Sequence, residues 1–342
     1  DLHAVTSATI AHGVWISRAT GNIDHIVVDQ KDGFSGRAFA LKDVCFYRDY
    51  LHYDTYPTVF TDTKTGFNVG HIECRNPQYV GVDLGSYQGW CTPSIDRVTF
   101  GIISDNNFAV LSDSNKLERG LINIGFTRAN IGVIRAQNIK EAALVLHHGL
   151  YDTGSTPAMG REASVDIKSI DCEDHSASIV SIGCPHNIGN ITTDNITVKG
   201  TYYLEPSILI QNTCLGSYIG RIIARNNAGQ VNKSLLEYGA QSSQIGAIEV
   251  YNYVANKTTN NAVLHFSSAK YSTVGNIRVN ASSLAASSAG IKYTGCYNFK
   301  IDVALVNNMN HGVLDGTGNA RLICVGCVAI NNTTNSDLPV AT

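Results

Sequence analysis

Residues 234–239 read SLLEYG and residues 262–267 read AVLHFS. In both, an aliphatic anchor, Leu236 or Leu264, is followed by a polar, then an aromatic, then a small residue. Alternation of this kind marks a short strand with one buried face. The setting recurs outward in PSILIQN (206–212), SIVSIG (178–183) and GIKYTG (290–295). The anchors are then Val180, Ile208, Leu236, Leu264 and Ile291, at intervals of 28, 28, 28 and 27 residues. About a dozen residues after these come IGNITT, IGRIIA, IGAIEV and VGNIRV, anchored by Ile191, Ile222, Ile248 and Ile277. Two strands recurring together, with no helical pattern between them, mean one coil of a β-solenoid per repeat.

The period extends less cleanly to YVGVDLGS around Val82, FAVLSDS around Val110, AALVLHHG around Leu144 and HGVLDGTG around Val313. The second series extends back to VGHIEC around Ile72 and IKSIDC around Ile170, and forward to KIDVAL and RLICVG. Asparagine follows the second strands at Asn76, Asn195, Asn226, Asn252, Asn280, Asn307 and Asn331. Asparagine tolerates the left-handed conformation of a sharp bend and can bond its counterpart one coil away, so an asparagine ladder is expected there.

On coil length, paired strand motifs and the asparagine turn, residues 65–335 resemble the right-handed parallel β-helix family that includes pectate lyases and bacteriophage tailspikes. The resemblance implies an all-β, right-handed parallel β-helix, here of about ten coils. It also implies a substrate groove on the outer face of one sheet, here the sheet of the 28-residue series. The family hosts lyases, hydrolases, epimerases and non-enzymatic adhesins, so reaction must be argued from the site. Its calcium-dependent pectate lyases use an aspartate cluster with a catalytic arginine on neighbouring coils. The groove row here offers Asp83 alone at one end, which points away from that branch and towards tailspike-like hydrolases.

Composition fits a solenoid: charged residues are 15% and glycines number 31, suiting many tight turns. A net charge of −3 gives no electrostatic case for nucleic acid or anionic membrane. No apolar run approaches the ~18 residues of a membrane span. The expected organisation is an irregular amino-terminal cap with the first coils (1–64), one β-helix (65–335) and a short tail (336–342). Nine cysteines fall in or beside strand motifs, where a free thiol packs as a small apolar residue. The Cys324–Cys327 pair has C-x-x-C spacing without a second pair, and neither metal nor redox use is expected of it. Reduced thiols suit synthesis in a bacterial cytoplasm. The opening Asp1 and only two methionines suit a tailspike shorn of its virion-attachment portion, or a processed protein.

Two stretches break the period. Phe46, Tyr47, Tyr50, His52, Tyr53 and Tyr56 either cap the open end of the solenoid or stack on sugars. Residues 147–162, with Gly149, Gly154, Pro157 and Gly160, read as a loop inserted between coils, and solenoid insertions gather on a binding face.

Chemistry is sought on the outward positions of the groove strands. The residue after each anchor gives Asp83, Val145, Ser181, Leu209, Glu237, His265 and Lys292. At about 4.8 Å per coil, Glu237, His265 and Lys292 form one polar row. The next outward column, Gly85, His147, Gly183, Gln211, Gly239, Ser267 and Thr294, leaves a shallow trough. A cation nearby favours ionised Glu237, suiting it to act as base or nucleophile. A glycosidase needs a second carboxyl to protonate the leaving oxygen. Glu205, in a Tyr-Tyr-Leu-Glu-Pro loop, and Asp152 or Glu162, in the inserted loop, are the candidates. His265 or Lys292 could alternatively abstract a proton beside a uronate carboxylate, which is lyase chemistry. An ordinary solvated sheet face is the plain alternative.

Gln211, His147, Ser181 and Tyr203 are the expected substrate-binding residues, and no cofactor or metal is expected. Asp171-Cys172-Glu173-Asp174-His175 reads as a turn at a coil corner, and His147-His148 as a solvent-facing pair. Glu249, Arg278 and Asp302 are expected as an ion-pair ladder on the second sheet. The expected function is a virion-borne, tailspike-like depolymerase hydrolysing a bacterial surface polysaccharide. A uronate-directed lyase and a non-enzymatic carbohydrate-binding fibre are the alternatives. Apolar Val145 and Leu209 on the outward face, together with the family resemblance, suggest a homotrimer.

Overall fold

The computed structural model describes residues 12–16, 20–29, 37–42, 64–75, 80–91, 94–100, 119–137, 142–147, 164–173, 180–195, 206–211, 214–227, 234–254, 262–282 and 289–330. Among them there are 21 strands and no helix. The chain divides into two compact units, residues 1–168 and 169–342, with the boundary inside β9 (Ser164–Glu173).

The carboxy-terminal unit contains two interleaved series of parallel strands. One sheet is built from β10 (Val180–Gly183), β12 (Ile208–Ile210), β14 (Leu236–Tyr238), β16 (Ala262–Ser267), β18 (Ala289–Thr294) and β20 (His311–Asp315). The other is built from β11 (His186–Asp194), β13 (Tyr218–Arg225), β15 (Gln244–Tyr253), β17 (Thr273–Ala281), β19 (Tyr297–Asn307) and β21 (Ala320–Ile330). Each strand pairs with the one two further along the chain, always in parallel, an arrangement consistent with a β-helix solenoid. Val180, Ile208, Leu236, Leu264 and Ile291 form the expected register column, which continues to Val313. Ile208, Leu236, Leu264 and Ile291 are fully buried, each contributing about 1.5–3 kcal/mol of hydrophobic stabilisation. Ile191, Ile222, Ile248 and Ile277 likewise align on the second sheet.

The recurring Ile-Gly of the second series has a steric cause. Along β13 the inward residues are Ile219 and Ile222, three apart rather than two, so the strand bends between them. Gly220 stands at the bend, with Gly246 and Gly275 above it. A Cβ on Gly246 would lie 2.4 Å from the Gly220 carbonyl oxygen, and one on Gly275 2.4 Å from that of Gly246. At Gly246 and Gly275 a side chain would meet the backbone of the preceding coil.

The same bend explains an unexpected bond. Cys324 and Cys327 stand in register with Ile301 and Ala304, the inward pair flanking the corner one coil earlier. Their Cα atoms are 6.0 Å apart, whereas three residues of straight strand span about 10 Å. They form a disulfide, correcting the expectation of reduced thiols throughout. Cys74, Cys172, Cys184, Cys214 and Cys296 are free and buried, as expected of small core residues.

The asparagine ladder is shorter than expected. Asn195, Asn226 and Asn252 are left-handed, with φ of 53°, 51° and 53°. Asn226 Nδ2 donates to Asp194 Oδ1 (3.0 Å), and Asn252 Nδ2 donates to Asn226 Oδ1 (3.2 Å). Asn280 and Asn307 do not continue it: a register shift between Tyr251 and Tyr253 aligns them with Tyr251, inside the strands. Asn308 takes the left-handed turn instead, with φ 59°. Asn76 and Asn331 lie outside the described residues.

Inside, Tyr238, Phe266 and Tyr293 lie on successive strands, with Phe299 4.8 Å from Phe266 between ring centres. Buried Ser217, Ser243 and Ser272 form a second internal ladder, each of the first two donating its backbone N–H to the next hydroxyl. The ladder satisfies backbone groups that burial would otherwise leave without partners.

In the amino-terminal unit, strands β1 (His12–Ile16), β3 (Arg37–Lys42), β5 (Val80–Cys91), the first half of β7 (Arg119–Gln137) and β8 (Ala142–His147) pair in parallel. So do β2 (Thr20–Asp29), β4 (Lys64–Arg75), β6 (Ser94–Phe100) and the second half of β7. The described residues before Lys64 include β1, β2 and β3; the tyrosine-rich stretch 46–56 lies outside the described residues. Val82 has Leu121 as its neighbour, not Val110, so the column runs Val14, Phe39, Val82, Leu121, Leu144. Val110 itself is outside the described residues.

Candidate functional site

The outward face of the first sheet in the carboxy-terminal unit carries the expected row. Its register runs Ser181, Leu209, Glu237, His265, Lys292 and Leu314. Strand pairing brings Glu237, His265 and Lys292 onto consecutive strands although 55 residues of chain separate the first from the last. All three are half-buried, as is Leu209. His265 Nε2 shares a hydrogen bond with Thr294 Oγ1 at 3.1 Å, which fixes the ring diagonally across the next strand. Burial first, and the Lys292 ammonium second, hold the His265 pKa down at about 4, so the imidazole is neutral at neutral pH. A carboxylate, an unprotonated imidazole and an ammonium thus follow one another across three strands.

The next outward column, from Gln211 to Thr294, continues the same ladder. Gln211 donates its backbone N–H to Ile182 O and Gly239 donates to Ile210 O, both at 2.8 Å. Ser267 and Thr294 are in register one coil apart. Gln211 is half-buried. The backbone of Ser181 is in register with Leu209, and that of His147 with Ile124 in the amino-terminal unit. Glu205, Tyr203, Asp152 and Glu162 lie outside the described residues.

Two other sequence expectations meet the structure differently. Arg278 is in register with Glu249, but Asp302 is not in their row: Arg278 faces Leu305 on β19. Asp302 occupies the bend position one coil above Gly275 and pairs with Lys300 at 2.7 Å. Glu249 pairs with Arg221, two residues off register at 2.6 Å, and accepts from Tyr251 Oη at 2.6 Å. The Tyr251 hydrogen bond, then Arg221, hold the Glu249 carboxyl below its usual range. Of the Asp171–His175 stretch, Asp174 and His175 lie outside the described residues, while Cys172 is buried. Sequence reasoning missed a different grouping in the amino-terminal unit, His25 with His71 and Glu73. The signal available was the His71-x-Glu73 spacing on one strand face, yet only register brings His25 to it.

Compared with known proteins, the chain matches no family model, no curated protein and no solved structure.

Proposed function

We propose that the chain is a right-handed β-helix of about ten coils that binds a bacterial surface polysaccharide along the outer face of its first sheet. In this reading it cleaves the polymer by glycosidic hydrolysis, as a virion-borne homotrimer resembling bacteriophage tailspike depolymerases. The observation that carries the reading is the placement of Glu237, His265 and Lys292 in one register on consecutive strands. A sugar chain lying along this row meets Glu237 as the group that takes a proton from the attacking water, or that attacks the anomeric carbon itself. The leaving oxygen takes its proton from a second carboxyl, for which Glu205 is the candidate. Gln211, Ser181 and Tyr203 are the proposed sugar contacts. Hydrolysis predicts oligosaccharides each carrying the mass of one added water.

A second reading starts from the register of His265 and Lys292 on neighbouring strands. A neutral imidazole beside an ammonium suits β-elimination on a uronate: His265 takes the proton next to the carboxylate, Lys292 pairs with that carboxylate, and the C–O bond to the leaving sugar breaks as a C=C bond forms. Incubating the protein with capsular polysaccharides from a strain panel separates the readings. Saturated fragments lost in Glu237→Gln support hydrolysis, and unsaturated fragments absorbing in the ultraviolet and lost in His265→Gln support the lyase. Tight binding without fragments supports a non-enzymatic fibre.

A further inference from the structure

We propose that His25, His71 and Glu73 form a binding site for one divalent transition-metal ion of the zinc class, clamping β2 to β4 in the amino-terminal unit. His25 and His71 are opposite each other in register, and Glu73 lies two residues beyond His71 on the same outward face. The imidazole rings are stacked, with centroids 4.7 Å apart and planes 2° from parallel. Stacked rings direct their in-plane lone pairs along parallel lines, so binding one ion requires the exposed His25 ring to turn towards the His71 plane. His25 Nε2 is 3.7 Å from Glu73 Oε2, and one ligand atom from each residue lies within 4.8 Å of the other two.

Bonds of about 2.0–2.1 Å at tetrahedral angles place ligand atoms about 3.3 Å apart. The carboxylate–imidazole edge is thus nearly at its final length, and the remaining edges close by rotamer adjustment of an exposed His25 and a half-buried Glu73. His71 is already held in place by the hydrogen bond between its Nε2 and Thr99 Oγ1 on the next strand. A ligating histidine whose other nitrogen bonds an oxygen is the usual supporting arrangement at metal sites. Two imidazoles and a carboxylate are borderline-to-hard donors that suit zinc-class ions over calcium or magnesium. Arg97, in register with His71, is the opposing charge, but it is exposed and able to turn into solvent. The free cysteines Cys74, Cys172, Cys184, Cys214 and Cys296 are no competitors, because burial raises their thiol pKa and disfavours the thiolate.

The test is equilibrium dialysis of the full 342-residue chain against ZnCl2, with bound zinc counted by mass spectrometry. One ion per chain is expected, with the affinity of His25→Ala and Glu73→Gln reduced at least 10-fold. His311→Ala, in the other unit, should bind like the parent. His25 is exposed, so its truncation leaves the fold intact even if a His71 variant does not fold. Absence of zinc binding by the parent chain overturns the proposal, as does undiminished binding by both His25→Ala and Glu73→Gln.

Discussion

His186 is a buried ring whose Nδ1–H donates to Cys184 O at 2.9 Å. Burial lowers its pKa to about 4 from an ordinary 6.5. The unfolded chain therefore binds a proton that the folded chain refuses between those two values. Stability from this group is full above pH 6.5 and is lost as pH falls towards 4, by about 3 kcal/mol at about 1.4 kcal/mol per unit. Urea unfolding at pH 7, 5.5 and 4.5 should show a stability slope that flattens in His186→Asn. An unchanged slope would show that this ring titrates freely in the fold. At this scale the sequence was readable where a residue repeats a role: the anchors and the Glu237, His265, Lys292 row followed from counting. His186 gave no such signal, because its burial depends on the Ser217 and Cys184 neighbours that only the folded coil supplies.

At the scale of elements, the bend in the second sheet governs both packing and chemistry. Gly246→Ala sets a methyl against the Gly220 carbonyl, and overpacking of this kind costs about 1–3 kcal/mol. Asn276→Ala, one residue past Gly275 and exposed, should stay within about 0.5 kcal/mol. A urea midpoint for Gly246→Ala equal to that of the parent would contradict the steric account of the corner. The disulfide at the same bend closes a short loop, for which chain entropy gives about 2 kcal/mol. Denaturation with and without reductant should differ by no more than that, and a larger loss would mean that the bond holds the terminal strand in place. The Ile-Gly motif was legible as a strand, but its corner was not, since an inward spacing of three looks like broken alternation until the coil is bent. The ladder of charges failed because Asp302 falls at the bend, three residues before Leu305, which is the residue in register with Arg278.

For the whole molecule, the repeat was readable because each coil must bury the same column against its neighbours, so the interval between anchors survives wherever coil length is constant. It was lost towards the amino terminus, where β7 serves both sheets and the spacing from Val82 to Leu121 lengthens. Fragment release from a capsular polysaccharide, read by mass for the parent, Glu237→Gln and Glu249→Gln, tests the central claim most directly. The substitution keeps shape while removing the charge that a base or nucleophile needs, a loss of ~10²-fold or more in rate. The account predicts saturated oligosaccharides from the parent and from Glu249→Gln, whose carboxylate is held by Arg221 and Tyr251 on the other sheet, and almost none from Glu237→Gln. Full fragment release by Glu237→Gln would contradict it.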